Sequence, residues 1–73
     1  MQTEQLIKMA NQVGDFFESY PDQVQAQQDI AQHLNRFWAL TMRQQIASHV
    51  KEDGGAGLHA KVISAISTYL DVE

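Results

Sequence analysis

The chain has 73 residues, a net charge of −4 and no Cys, which predicts one domain, residues 1–73, without disulfides or thiolate metal sites. Five basic residues against nine acidic ones disfavour nucleic-acid binding, which needs phosphate neutralisation. Because no apolar run approaches the ~20 residues that span a bilayer, and the N-terminus resembles no signal peptide, we expect a soluble cytoplasmic protein without a membrane role.

The first predicted element is a helix from about Thr3 to Tyr20, with the Thr3 hydroxyl as its N-cap. Apolar residues recur there at three- and four-residue steps and form one stripe: Leu6, Met9, Ala10, Val13, Phe16, Phe17 and Tyr20. Gly14 lies inside this helix, where Gly costs about 1 kcal/mol relative to Ala. We expect Gly14 either to allow close approach of another backbone or to be a surface residue of no consequence.

A Pro-Asp pair separates this helix from a second one, which is predicted from about Gln23 to Arg36 or Phe37. Asp22 followed by Gln25 resembles a capping box at its start. The spacing of apolar residues predicts the inward positions of the second helix: Val24, Gln27, Ile30, Ala31, Leu34, Phe37 and Trp38.

Nothing in Trp38–Thr41 is a strong helix breaker, so the sequence allows either one long helix or a bend. We prefer a bend, with Thr41 as the cap of a third helix. Asp53–Gly57 is the clear loop. The apolar face of the last helix is expected to contain Leu58, Val62, Ala65, Ile66, Tyr69 and Leu70. Since no segment alternates as a strand does, we predict an all-α fold, a small bundle of three to four antiparallel helices.

Residue types suited to catalysis or metal binding form no recognisable constellation in this sequence. The three His lie on different predicted segments, without the fixed spacing of a metal site: His33, His49 and His59. The Gly-rich loop lacks the spacing of a phosphate loop. Asp15 and Glu18 share a helix face, but a solvated edge explains them. We therefore predict no catalytic residue, no metal ligand and no cofactor in this chain.

The segment 33–43 has the most informative composition, because it contains the only Trp, a Phe, a Met and both Arg of the chain. A large aromatic residue bracketed by arginines is typical of a protein-binding hot spot. Adjacent residues on a helix point about 100° apart. In each pair, Phe16-Phe17 and Phe37-Trp38, we expect one ring to pack inside and the other to widen the stripe or reach a partner. The alternative is that all four rings belong to the core.

Arg36 and Arg43 are seven residues apart, which would place them on one face of a continuous helix. There they would make forked contacts to carboxylates of another protein, or remain solvated beside acidic neighbours. The sequence thus favours a binding module over an enzyme. Its predicted partner-binding residues are Arg36, Phe37, Trp38, Met42, Arg43 and Phe17.

Two sequence blocks carry a family resemblance. Residues 6–17, LIKMANQVGDFF, resemble a start of the type "LIRMANQI" that leads to a paired Phe. Residues 33–43, HLNRFWALTMR, resemble the pattern "H-x-x-R-F-W…M-R". In this order they resemble the delta subunit of NAD-dependent (molybdenum-containing) formate dehydrogenases. That family commonly has a Pro shortly after the Trp, where this chain reads Ala39-Leu40-Thr41, so the enforced helix break is missing here.

The resemblance implies a small non-catalytic subunit of a large cytoplasmic complex that oxidises formate to carbon dioxide and passes electrons to NAD. The molybdenum or tungsten pterin, iron–sulfur clusters and flavin of such complexes belong to larger subunits. The implied task is to stabilise or help assemble the alpha subunit. The main alternative is a self-associating helical adaptor or regulatory homodimer unrelated to formate oxidation, and a homodimer is also an option for the isolated chain. A helix-turn-helix DNA binder and a small enzyme are disfavoured, because neither a basic recognition helix nor a catalytic constellation is visible.

Overall fold

The computed structural model describes all residues, 1–73, and contains only helices: α1 (Thr3–Phe16), α2 (Gln23–Phe37), α3 (Leu40–Asp53) and α4 (Ala60–Tyr69). Helices that follow each other in the chain run in opposite directions. The helices α1 and α3 therefore begin near each other, and Gln45 of α3 donates a hydrogen bond to Thr3 of α1. The helices α2 and α4 end near each other, and Asn35 of α2 donates a hydrogen bond to the Tyr69 carbonyl of α4. The prediction of a small all-α bundle is confirmed. No helix has the length and apolar character needed to cross a membrane.

The core lies where all four helices meet, and the most extensive helix–helix contact is that between α2 and α4. Its main cluster consists of Leu6, Ala10, Leu34, Trp38, Ile46, Leu58, Val62 and Ile66. A smaller cluster of Ile30, Ala31 and Ala65 lies between α2 and α4, and Val13, Phe17 and Tyr69 pack against it. The helical periodicity of the apolar residues therefore identified most of the core.

The first helix is shorter than predicted, since it ends at Phe16 rather than at Tyr20. Beyond it the chain makes tight turns, in which the Tyr20 N–H donates to the Phe17 carbonyl at 3.2 Å. Thr3 is not the N-cap, which is Gln2 without a side-chain hydrogen bond. Instead, the Thr3 hydroxyl accepts a hydrogen bond from Gln45 at 2.9 Å. Thr3 thus links α1 to α3.

The start of α2 is capped by Asp22, whose Oδ1 accepts hydrogen bonds from the backbone N–H groups of Val24 and Gln25, at 3.0 and 3.2 Å. The reciprocal half of the predicted capping box is missing, because the Gln25 side chain donates to Asp29 instead. Two predicted inward positions are wrong: Val24 is 55% exposed and Phe37 is 67% exposed. The small residue Ala26, which the pattern did not single out, is fully buried.

The preferred bend between α2 and α3 is confirmed, although no Pro enforces it. Trp38 and Ala39 have extended backbone angles, with ψ of 138° and 152°, and Ala39 is the N-cap of α3. Thr41 is therefore inside α3 and does not cap it. At the other end of α3, the predicted loop begins with Gly54 and Gly55, which have φ of 68° and 76°. Only Gly adopts such angles without strain.

Gly14 permits a close approach, but the group that approaches is a side chain rather than a backbone. A Cβ at Gly14 would lie 2.5 Å from Cγ2 of Val62, which is fully buried in the main core cluster. The absence of a side chain at Gly14 therefore allows α1 and α4 to pack closely at this point.

Candidate partner-binding surface

Two adjacent aromatic residues lie at the end of α2, one facing solvent and the other facing the core. Phe37 is the last helical residue and is 67% exposed. Trp38 leaves the helix with an extended backbone, and its N–H donates to the Leu34 carbonyl at 2.9 Å. This change of direction turns the indole into the main core cluster, where Trp38 is only 7% exposed. One ring of the pair packs inside, as predicted, and the other faces solvent.

In the second aromatic pair, Phe16-Phe17, one ring also faces solvent and the other packs against the core. Phe16 is 75% exposed, whereas Phe17 is half-buried and packs against the smaller core cluster. The two rings meet edge to face with centroids 4.9 Å apart, and Phe17 meets Tyr20 similarly at 5.1 Å. Aromatic rings in this arrangement stabilise each other's orientation, so Phe17 holds the exposed ring of Phe16 in place.

The exposed rings border two adjoining hollows, one lined by Phe16, Phe17 and His33 and the other by Phe17, His33, Arg36 and Phe37. We call these five residues the aromatic surface. His33 packs against Phe37 with ring centroids 4.8 Å apart. The guanidinium of Arg36 lies 5.6 Å from the centroid of the Phe37 ring, within the range of a cation–π contact. The patch thus combines rigid aromatic rings with a cation, as binding hot spots do.

An open groove of about 470 Å³ adjoins these rings between α1 and the end of α2. We call it the apolar groove. It is lined by Met9, Gln12, Val13, Phe16, Phe17, His33 and Trp38. The groove therefore connects the exposed ring of Phe16 with an edge of the buried Trp38, and none of its lining residues is acidic.

The two arginines of the segment 33–43 do not share a face, because the helix breaks between them. Arg43 lies on α3 and donates from Nη1 to the Asn35 carbonyl at 3.0 Å. Its Nε is buried without a hydrogen-bond partner. Arg43 thus satisfies a carbonyl near the end of α2, where helices leave such groups unpaired. Arg36 is exposed and forms no salt bridge within the chain.

Met42, the remaining predicted partner-binding residue, is half-buried and packs against the main core cluster. The structure therefore brings Phe17, Arg36 and Phe37 together at the aromatic surface. It places Trp38, Met42 and Arg43 in or beside the core beneath the bend.

The carboxylates that the sequence singled out line a different hollow. Asp15 and Glu18 border a polar cleft of about 500 Å³ together with His59, Lys61 and Ser64. Asp15 Oδ1 and His59 Nδ1 lie 3.4 Å apart with both side chains more than half exposed, and they form an ion pair only when His59 is protonated. Water screens such a pair, so it contributes little to stability. No three His, Asp or Glu side chains are grouped as potential metal ligands.

Two asparagines with structural roles were missed by the sequence analysis. Asn11 donates to the Gly57 carbonyl and accepts from the His59 N–H, both at 2.9 Å. Asn35 donates to the Tyr69 carbonyl at 3.4 Å and accepts from the Asp71 N–H at 2.9 Å. We call these two residues the amide clamps, since they hold the backbone at both ends of α4. The available signal was the placement of Asn, a weak helix former, in helix interiors.

The comparison with known proteins agrees with the resemblance carried by the two sequence blocks. The sequence model of the family described as NADH-dependent formate dehydrogenase delta subunit FdsD matches residues 5–66. No curated protein and no solved structure matches the chain significantly. The matched range includes the whole aromatic surface, the bend and both amide clamps. The chain therefore belongs to the family of formate dehydrogenase delta subunits.

Proposed function

We propose that this chain is a non-catalytic accessory subunit that stabilises or helps assemble a cytoplasmic NAD-dependent formate dehydrogenase. Its proposed partner is a larger, cofactor-bearing subunit of that complex, the alpha subunit. Family membership supports the assignment to the complex. The aromatic surface supports a role in binding, because it leaves large apolar side chains exposed in a small domain.

The observation that carries the proposal is the exposure of two phenylalanines beside an unpaired arginine. Phe16 and Phe37 are 75% and 67% exposed. Fully burying such a side chain is worth about 1.5–3 kcal/mol, and hot-spot residues typically cost about 2 kcal/mol or more when truncated. A partner that covers both rings and pairs with Arg36 would therefore gain a large share of its affinity from three side chains.

Within this proposal the predicted partner-binding residues act in two ways. Arg36, Phe37 and Phe17 present the aromatic surface to the partner. Trp38, Met42 and Arg43 hold the bend that orients Phe37, and Trp38 also contributes to the apolar groove. The bend sets the direction of both rings, so a change at Arg43 is expected to act on binding through the fold.

The test of the proposed function uses the chain in its own cells. Tagged chain is purified, its partners are identified by mass spectrometry, and the eluate is assayed for formate-dependent NAD reduction. We expect the larger subunits and that activity to co-elute with the chain. Recovery of the chain alone, or of a second copy only, would contradict the proposal and favour the regulatory homodimer.

A second measurement separates an accessory role from a catalytic one. In cells that lack this chain, we expect less intact alpha subunit, while the turnover of each remaining cofactor-loaded complex is unchanged. Supplying the chain again should restore the amount of complex. A fall in turnover per loaded complex at an unchanged amount would show a role in the reaction instead.

A further inference from the structure

The walls of the apolar groove determine which backbone conformation an occupant can have. One wall is α1, and the other is the end of α2 together with Trp38. Backbone N–H and C=O groups inside a helix are already bonded to each other, so these walls offer no strand edge for an extended peptide to pair with. Buried backbone groups must be hydrogen-bonded. A helix meets this requirement without help from the walls, because its backbone groups bond to one another, and this favours a helix as the occupant.

The length of the groove indicates how much helix it covers. On α1 the lining extends from Met9 to Phe16, which corresponds to about 10.5 Å along a helix. A partner helix lying in the groove would contact it over about two turns. Such a helix presents apolar side chains at three- and four-residue steps.

The charges around the groove indicate the polar part of the occupant. The chain as a whole is acidic, with a net charge of −4, yet no acidic residue lines the groove. Arg36 lies over the ring of Phe37, which packs against the groove residue His33. Asp29 borders the same adjoining hollow as Arg36 but forms no salt bridge with it. Since Arg36 has no carboxylate partner within the chain, a carboxylate of the occupant would meet a free guanidinium there. Arginine binds carboxylates in a forked geometry.

We propose that the apolar groove takes an amphipathic helix of the larger subunit, with a carboxylate on that helix paired to Arg36. This inference rests on the proposed function, because the occupant is a segment of the complex partner. It adds the conformation of that segment, the spacing of its apolar contacts and the position of one charge.

Photocrosslinking within the purified complex tests the conformation. A photoreactive benzoyl-phenylalanine replaces Phe16 in one variant and Phe37 in another, and Val24 in a control, because Val24 is also exposed but lies outside the groove. We expect Phe16, which lines the groove, and Phe37, which lies at its rim, to crosslink to one short segment of the larger subunit. The crosslinked residues of that segment should be three, four or seven apart. The Val24 position should not reach that segment.

The outcomes separate this inference from the proposed function. If the complex co-purifies but the crosslinks fall on every second residue or on scattered segments, the occupant of the groove is not a helix. The proposed accessory role would still stand in that case. An intact complex without crosslinks from either Phe16 or Phe37 would show that the partner binds elsewhere. Loss of the complex from cells that express the unmodified chain would instead contradict the proposed function.

A charge exchange tests the carboxylate. Arg36→Glu is expected to weaken binding at least tenfold, and reversing the acidic residue of the crosslinked segment to Lys should restore most of it. Lys51→Glu is the matched control, since Lys51 is exposed and lies outside the groove. Equal losses for both charge reversals, or no rescue by any acidic residue of the segment, would overturn the pairing with Arg36.

Discussion

The surroundings of α4 and the aromatic surface use their side chains in opposite ways. Around α4, the amide clamps Asn11 and Asn35 each make two hydrogen bonds to backbone groups far along the chain. At the aromatic surface, the rings of Phe16 and Phe37 pack against Phe17 and His33 but remain exposed. The first region satisfies its polar groups internally, whereas the second leaves apolar area unburied. This difference supports our proposal that the first region serves folding and the second serves binding.

The sharpest test of this comparison is the neighbouring pair Phe37 and Trp38. We expect Trp38→Ala to cost about 3–5 kcal/mol, because it removes a buried ring from the core. Domains of this size rarely have more than about 3–5 kcal/mol of stability from their core, so the variant should be largely unfolded. Phe37→Ala should change stability by less than about 0.5 kcal/mol. Circular dichroism during urea unfolding measures both, and equal losses would contradict the division.

Gly14 tests the packing of α1 on α4. In an exposed helix, Gly→Ala stabilises by up to about 1 kcal/mol. Here the added methyl meets Val62, and overpacking of a core typically costs about 1–3 kcal/mol. Gly14→Ala should therefore lower the urea midpoint, while Gln12→Ala at an exposed site of the same helix should not. A higher midpoint for Gly14→Ala would show that the contact with Val62 relaxes freely.

The amide clamps are expected to have a more local effect. Asn35→Ala removes two hydrogen bonds to the chain around the end of α4, each worth about 0.5–1.5 kcal/mol. Hydrogen exchange should then accelerate at Asp71, whose N–H loses its acceptor. Gln28→Ala serves as the control, because Gln28 is an exposed residue of the same helix. Unchanged exchange at Asp71 would show that Asn35 does not hold this segment.

The two arginines should separate stability from binding, because Arg43 is hydrogen-bonded within the chain whereas Arg36 forms no salt bridge there. Arg43→Ala removes a hydrogen bond from a charged donor to the Asn35 carbonyl. Such a bond is worth about 1.5–3 kcal/mol. Part of this loss is offset, because the variant also removes the Nε atom that is buried without a hydrogen-bond partner. Arg36→Ala should leave the unfolding midpoint unchanged but weaken partner binding. If the Arg36 variant lost stability but bound its partner as before, this separation of roles would be contradicted.

The all-α fold and most of the core followed from the spacing of apolar residues, because helical periodicity depends on local sequence. The end of α1 did not, since Phe17 and Tyr20 continue the apolar stripe although the chain has already turned. The sequence also predicted that one ring of each aromatic pair faces inward. It could not decide which one, because the answer for Phe37 and Trp38 depends on the residue at which α2 ends.

The clamps and the role of Arg43 were beyond the reach of sequence patterns. Asn11 and Asn35 bind groups 46 and 34 residues away in the chain, and no local spacing encodes such contacts. Similarly, the seven-residue spacing of Arg36 and Arg43 suggested a shared face only for a continuous helix. Because the bend separates the two residues, Arg43 donates a hydrogen bond to a carbonyl of α2, whereas Arg36 forms no salt bridge within the chain.

The most direct test of the central claim is the amount of this chain in the purified formate dehydrogenase complex when Phe16 and Phe37 are both replaced by Ala. A Val24→Ala variant is the control, as it removes an exposed apolar side chain outside the aromatic surface. We predict that the double variant folds with unchanged helix content but is lost from the complex, whereas the control is retained at the normal amount. A folded double variant that remains fully bound would contradict the assignment of the aromatic surface to the partner.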